Sequence, residues 1–154
     1  MSGELLWKKQ DGILHLTLSY ESKKNAFTER MYLDLTRALV HARFLSDVKV
    51  ILLSGAGDEF FSSGNDITPR EDDFVRLEDG SRIASQWQMR NFVEAFVDNT
   101  KPIVAAVNGP AIGVGCTILA FCDFVFVSQK TYFYTPFMSL AQGPEACSSL
   151  LFPE

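Results

Sequence analysis

Two stretches of small residues sit where chemistry on an anion could happen. The first is Phe61-Ser62-Ser63-Gly64-Asn65-Asp66-Ile67, and the second is Asn108-Gly109-Pro110-Ala111-Ile112-Gly113-Val114-Gly115-Cys116. Glycine lets a backbone approach a ligand closely and aim its N–H groups outward. In the second stretch those groups stand at a helix start, where the dipole favours negative charge. Two such donors converging on one point would make an oxyanion hole. On glycine content alone, two plain strand-to-helix connections are the better reading. Glu145, in Gln142-Gly143-Pro144-Glu145-Ala146-Cys147, reads on its own as a helix-start carboxylate favoured by the dipole.

The flanking patterns supply the elements that would position these turns. Leu5-Leu6-Trp7 and Ile13–Leu18, joined at Asp11-Gly12, predict a hairpin, with His15 as a structural histidine facing across the sheet. Thr28 is a candidate N-cap for a helix whose stripe is Met31, Leu35, Ala38, Ala42 and Leu45; His41 falls off that stripe and is expected in solvent. Val48–Leu53 and Pro102–Val107 predict buried strands, each running towards one of the small-residue turns. Pro69–Gly80 is acidic and reads as a solvated, mobile loop. Met89, Phe92, Val93, Phe96 and Val97 mark a second helix, and a short apolar helix runs from Gly113 through Ala120. Phe124–Val127 predicts another strand, with Tyr132-Phe133 continuing the sheet after a turn. Strands alternating with helices give an α/β domain with mostly parallel pairing.

Composition excludes several classes. The 154 residues are 47% hydrophobic and 21% charged, enough for one globular domain. A net charge of −5 argues against a nucleic-acid binder, which needs clustered Lys and Arg. It leaves room for an anionic ligand held by a few basic groups. Three cysteines, with no CxxC pair, make disulfide and zinc readings weak and favour a reducing compartment; no metal is expected. No apolar run approaches the roughly 20 residues that span a bilayer. Neither a signal peptide nor a peroxisomal C-terminal tripeptide is visible.

The first turn resembles the first oxyanion motif of the crotonase, or enoyl-CoA hydratase/isomerase, superfamily. Lys101-Pro102 to Cys122-Asp123 resembles the second, and Ala105-Ala106-Val107-Asn108-Gly109-Pro110-Ala111-Ile112-Gly113 is its most diagnostic part. The early Lys23-Lys24-Asn25-Ala26 matches too, so the resemblance covers essentially the whole chain. It implies an α/β crotonase-like ββα spiral core, of which residues 1–154 form the N-terminal portion of one domain, incomplete at its C-terminus. It implies amide donors at Asn65 and Val114, with Ser63, Gly64, Asp66 and Gly113 around the substrate. Ala26 and Ile67 would line the pantetheine and acyl path, and Lys23 or Lys24 could approach coenzyme A phosphates.

The same resemblance separates the chemistries. Hydratases of this family use two carboxylates to activate water; the matching positions here are Thr117 and Phe137, so hydration lacks its acid and base. The Glu145 run resembles peroxisomal-type Δ3,Δ2-enoyl-CoA isomerases, whose single catalytic Glu occupies this Pro-Glu position. Phe133, Phe137 and Met138–Ala141 would form an apolar wall that raises the Glu145 pKa. The resemblance therefore implies an isomerase acting on an acyl-CoA thioester, with no separate cofactor, in peroxisome or mitochondrion, and a homotrimer when complete. The chain by itself is expected to be a weak catalyst. A competing class is the catalytically inactive binding module of chromodomain-Y-like proteins, which Arg90-Asn91-Phe92-Val93 and Asn108–Gly113 also resemble.

Overall fold

Alternating apolar residues from three separate segments meet on one face of a sheet. Leu14, Leu16 and Leu18 point into it from β2 (Ile13–Ser19), Ile51 and Leu53 from β3 (Val50–Gly55), and Ile103, Ala105 and Val107 from β6 (Ile103–Val107). Burying each large side chain contributes about 1.5–3 kcal/mol, which fixes the register, since a one-residue slip would turn the whole set to the other face. In this computed structural model, which describes residues 3–67, 74–76, 82–84 and 87–153, the sheet has five strands. With β1 (Glu4–Gln10) and β8 (Phe124–Val127), the order is β1-β2-β3-β6-β8. Only β1 and β2 are antiparallel; the remaining pairs are parallel, with Leu14 opposite Ile51 and Ile51 opposite Ile103.

α1 (Glu29–Ala42) begins where Thr28 accepts a hydrogen bond from the Met31 amide at 3.2 Å, as its N-cap position predicts. Its buried face is Met31, Tyr32, Leu35, Leu39 and Ala42. That face is rotated from the predicted stripe: Ala38 is half-buried, and Leu45 lies beyond the helix end, exposed. Tyr32 and Leu39 take their places because α2 (Trp87–Val97) packs against that side with Phe92 and Phe96. The Tyr32 ring meets Phe92 edge-on at 4.8 Å and Phe27 at 5.1 Å. His15 stands on the half-buried face of β2, and His41 is exposed, both as expected.

Three expectations need correction. β3 and β6 are buried on one face only; on the other face Ser54 of β3 lies opposite Thr17 of β2, with a 3.2 Å hydroxyl contact. Most of 69–80 lies outside the described residues, but β4 (Phe74–Arg76) pairs antiparallel with β5 (Arg82–Ala84), so that region is not simply a loop. β9 (Phe133–Tyr134) does not continue the main sheet. It pairs parallel with β7 (Ala111–Ile112), just before the Gly113 turn.

The short helix after that turn is α3 (Val114–Thr117), followed by a 3₁₀ turn through Phe121. α4 (Ser148–Leu151) closes the described chain. Phe124, Phe126 and Val127 of the edge strand are all more than half exposed, as are Tyr132, Phe133 and Tyr134, leaving an apolar surface beside β8 and β9. No helix among the described residues is long and apolar enough to cross a membrane.

Candidate active site

The two small-residue turns are stitched to each other. The Phe61 and Ser62 amides donate to the Pro110 carbonyl at 3.1 and 3.3 Å, and the Ile112 amide donates back to the Ser62 carbonyl at 2.9 Å. Ser62, fully buried, donates its hydroxyl to the Asn25 carbonyl and accepts from the Gly64 amide. A Cβ on Gly115 would stand 2.7 Å from the Ser62 Cβ, so only glycine lets α3 come this close to the first turn. Gly64 and Gly113 have φ of +91° and +54°, backbone that L side chains rarely adopt.

This stitching turns two amides outward. Parallel bridging uses the Phe27 amide to the Gly64 carbonyl (2.7 Å) and the Asp66 amide to the Phe27 carbonyl (2.9 Å), so Asn65 between them points its N–H the other way. Val114 is the first residue of α3, and its N–H has no partner within the helix. Among the described residues neither the Asn65 nor the Val114 amide N–H has an acceptor.

Both amides open on one cleft of about 370 Å³. Ten of the residues singled out from the sequence line it. Ala26, Ser63, Gly64, Asn65, Asp66 and Ile67 form one wall, and Gly113 and Val114 the floor of the second turn. Phe137 and Glu145 come from the segment after β9. A Cβ built on Gly113 would lie 3.6 Å from the Gly64 Cα and 4.0 Å from the Glu145 Oε1, so the carboxylate overhangs the meeting point of the turns. Lys23 also lines the cleft, whereas Lys24 stands 4.8 Å over the Phe60 ring.

Burial pushes the Glu145 carboxyl above its ordinary range, and the Gln142 side-chain amide at 3.4 Å draws it partly back. The apolar neighbours are Pro136, Phe137, Leu140 and Ile112. Phe133 and Met138, expected in that wall, are not: Phe133 is half exposed in β9 and Met138 is 93% exposed. Thr117, the last residue of α3, is fully buried and lies outside the cleft.

The sign of the Glu145 shift gives a stability prediction. A carboxyl whose folded pKa lies above its unfolded one contributes stability fully below the unfolded value and loses it as pH rises through the folded value. The Glu145 contribution to the urea midpoint should therefore fall from about pH 4 upward, so the difference in midpoint between Glu145→Gln and the native chain should grow in favour of the variant as pH rises. Identical slopes in the two proteins would place the carboxylate in water.

Two supporting residues stood inside the resembling motifs but were given no role there. Asn25, at φ +55°, accepts from the Tyr20 amide and donates to the Ala56 and Phe60 carbonyls, fixing the chain that leads into the first turn. Asn tolerates the left-handed region, and that is the one local hint. Asn108 takes the Gly55 amide and donates to the Gly57 carbonyl, anchoring the second turn to the end of β3. The described residues contain no cluster of His, Cys, Asp and Glu suited to a metal ion. Burial raises the Cys116 thiol, and burial followed by the Asp123 charge pushes Cys122 up to about 12, so neither supplies a ready thiolate.

Comparison with known proteins bears on this geometry. The profile of the enoyl-CoA hydratase/isomerase family matches residues 8–154. The chain belongs to that family. It is 42% identical over 153 residues to the mouse peroxisomal enoyl-CoA delta isomerase 3, covering 99% of this chain and 47% of that protein. It is 39% identical over 156 residues to human chromodomain Y-like protein 2, covering 98% of this chain and 30% of that one. Among solved structures, Pseudomonas aeruginosa OdaA superposes with a TM-score of 0.83 at 38% identity, over 97% of this chain and 57% of its own. An enoyl-CoA hydratase/isomerase from Pseudoalteromonas atlantica gives 0.82 at 36% identity, over 97% and 56%. The fold is thus the crotonase fold, and this family member spans less than half the length of the curated relatives it matches.

Proposed function

We propose that the protein containing this chain shifts the double bond of an unsaturated acyl-CoA from position 3 to position 2. The observation that carries the reading is the placement of Glu145 over the junction of Gly64 and Gly113, beside two amides without acceptors. The Glu145 carboxylate takes a proton from C2 of the 3-enoyl thioester. The electron pair delocalises through the C3–C4 double bond and onto the thioester oxygen, giving a dienolate. The Asn65 and Val114 amides donate to that oxygen. The carboxylic acid then returns its proton to C4, and the double bond settles between C2 and C3. One base serves both carbons, and the raised Glu145 pKa suits a group that must give its proton back. The coenzyme A thioester is the substrate, and the steps need no other cofactor.

The 42% identity to a peroxisomal isomerase supports fatty acid β-oxidation in that compartment. A homotrimer is the assembly we expect of the complete protein. The test is to follow 3-enoyl-CoA and 2-enoyl-CoA separately with the full-length protein. The expected result is conjugation of the first and no hydration of the second; rapid formation of 3-hydroxyacyl-CoA would sink the reading. The 39% identity to a chromodomain Y-like protein favours a second reading, a module that binds without turnover. Saturable acyl-CoA binding with neither reaction would select it.

A further inference from the structure

Tyr32 is buried, comes from α1, and was not among the residues the sequence pointed to. A buried phenol needs an acceptor for its O–H. The acceptor is the side-chain oxygen of Asn65, the residue whose amide opens on the cleft. Phe27 and Phe92 pack the Tyr32 ring from two sides, which leaves the hydroxyl little freedom to look elsewhere. The Asn65 side chain is itself exposed, and its Nδ2 end has no acceptor among the described residues. Asn65 is thus held at three points: its flanking peptides bond Phe27, and its side chain bonds Tyr32.

We propose that Tyr32 is a positioning residue of the cleft: by taking the Asn65 side-chain oxygen it fixes the Asn65 peptide, whose N–H faces the cleft, and leaves the carboxamide NH2 to donate to an oxygen bound there. A phenol is suited to this because it selects the orientation of the amide. Were the carboxamide reversed, its NH2 would donate to the phenolic oxygen and the buried O–H would be left without a partner. Burial, and next the nearby Glu145 charge, push the Tyr32 titration well above its ordinary value, so the group stays a donor at all working pH values. Packing Tyr32 on Phe92 also carries the position of α2 into the cleft.

The kinetic part of this inference rests on the isomerase reading; the orientation of Asn65 does not. The test is Tyr32→Phe in the full-length protein, read by kinetics and by the Asn65 side-chain amide signals in 1H–15N spectra. The ring packing survives in the variant and only the donor is lost. The expected result is a fall in kcat of about tenfold with KM little changed, the net worth of one hydrogen bond carried into the barrier. Because Tyr32 acts through Asn65, Tyr32→Phe added to Asn65→Ala should lower kcat no further. The Asn65 carboxamide proton shifts should lie away from those of free asparagine in the native protein and move towards them in Tyr32→Phe. Unaltered Asn65 signals in the variant, or additive losses in the double variant, would overturn the proposal. Altered signals in a native protein that never isomerises would keep the positioning role and discard the isomerase reading instead.

Discussion

Glu145→Gln should lower the rate of double-bond migration by about 10²–10⁴-fold, with the affinity for a saturated acyl-CoA unchanged. The amide keeps the shape of the side chain and its place above Gly113, but it cannot accept the C2 proton. Unfolding is not a rival explanation. Burial disfavours the Glu145 charge, so the neutral amide removes a penalty that the native chain carries at neutral pH. The measurement is a single-turnover rate at saturating 3-enoyl-CoA, alongside a binding isotherm. Retention of most of the rate would move the base to Asp66, the other carboxylate lining the cleft among the described residues. Asp66 ranks lower because Glu145, not Asp66, is the carboxylate beside Gly113.

Gly64→Ala should cost about 10²–10³-fold in kcat, the loss expected when a preorganised oxyanion donor is displaced. Two separate effects act in the same direction. The position has φ +91°, where an L side chain is strained by about 1–2 kcal/mol. The new Cβ would also stand 3.0 Å from the Ile112 carbonyl oxygen and 3.5 Å from its carbon, pressing on the backbone that leads to Gly113 and Val114. Relief must move one turn away from the other, so the Asn65 and Val114 amides lose their common target. Gly143→Ala is the control, since nothing lies within 4 Å of a Cβ there. The control should keep the native rate, and a Gly64→Ala enzyme that also kept it would show that these amides do not hold the developing charge.

Sequence patterning determined more of the fold than of the cleft. The apolar alternation of Leu14, Leu16 and Leu18, the Thr28 cap and the Phe92–Phe96 spacing each specify local structure, because burial and capping act within a few residues. The small-residue turns at Gly64 and Gly113 were legible for a similar reason: positive φ demands glycine at those points. The family resemblance added Glu145, which its own neighbourhood would have left as an ordinary acid.

Tertiary structure decided the remainder. Gly64, Gly113 and Glu145 converge because parallel strands end side by side and hydrogen bonds between Ser62, Pro110 and Ile112 lock the turns together. No local period encodes such long-range pairing. β9 joined β7 rather than the main sheet for the same reason, since two residues of strand can pair with any free edge until the rest of the chain is placed. Tyr32 stayed hidden because α1 turns its buried face towards Phe92 of α2, and a helix read alone does not reveal which way its neighbour will rotate it. The residues that could do chemistry were therefore written in the sequence, while the cleft that brings them together, and the phenol that steadies it, came from packing between distant segments.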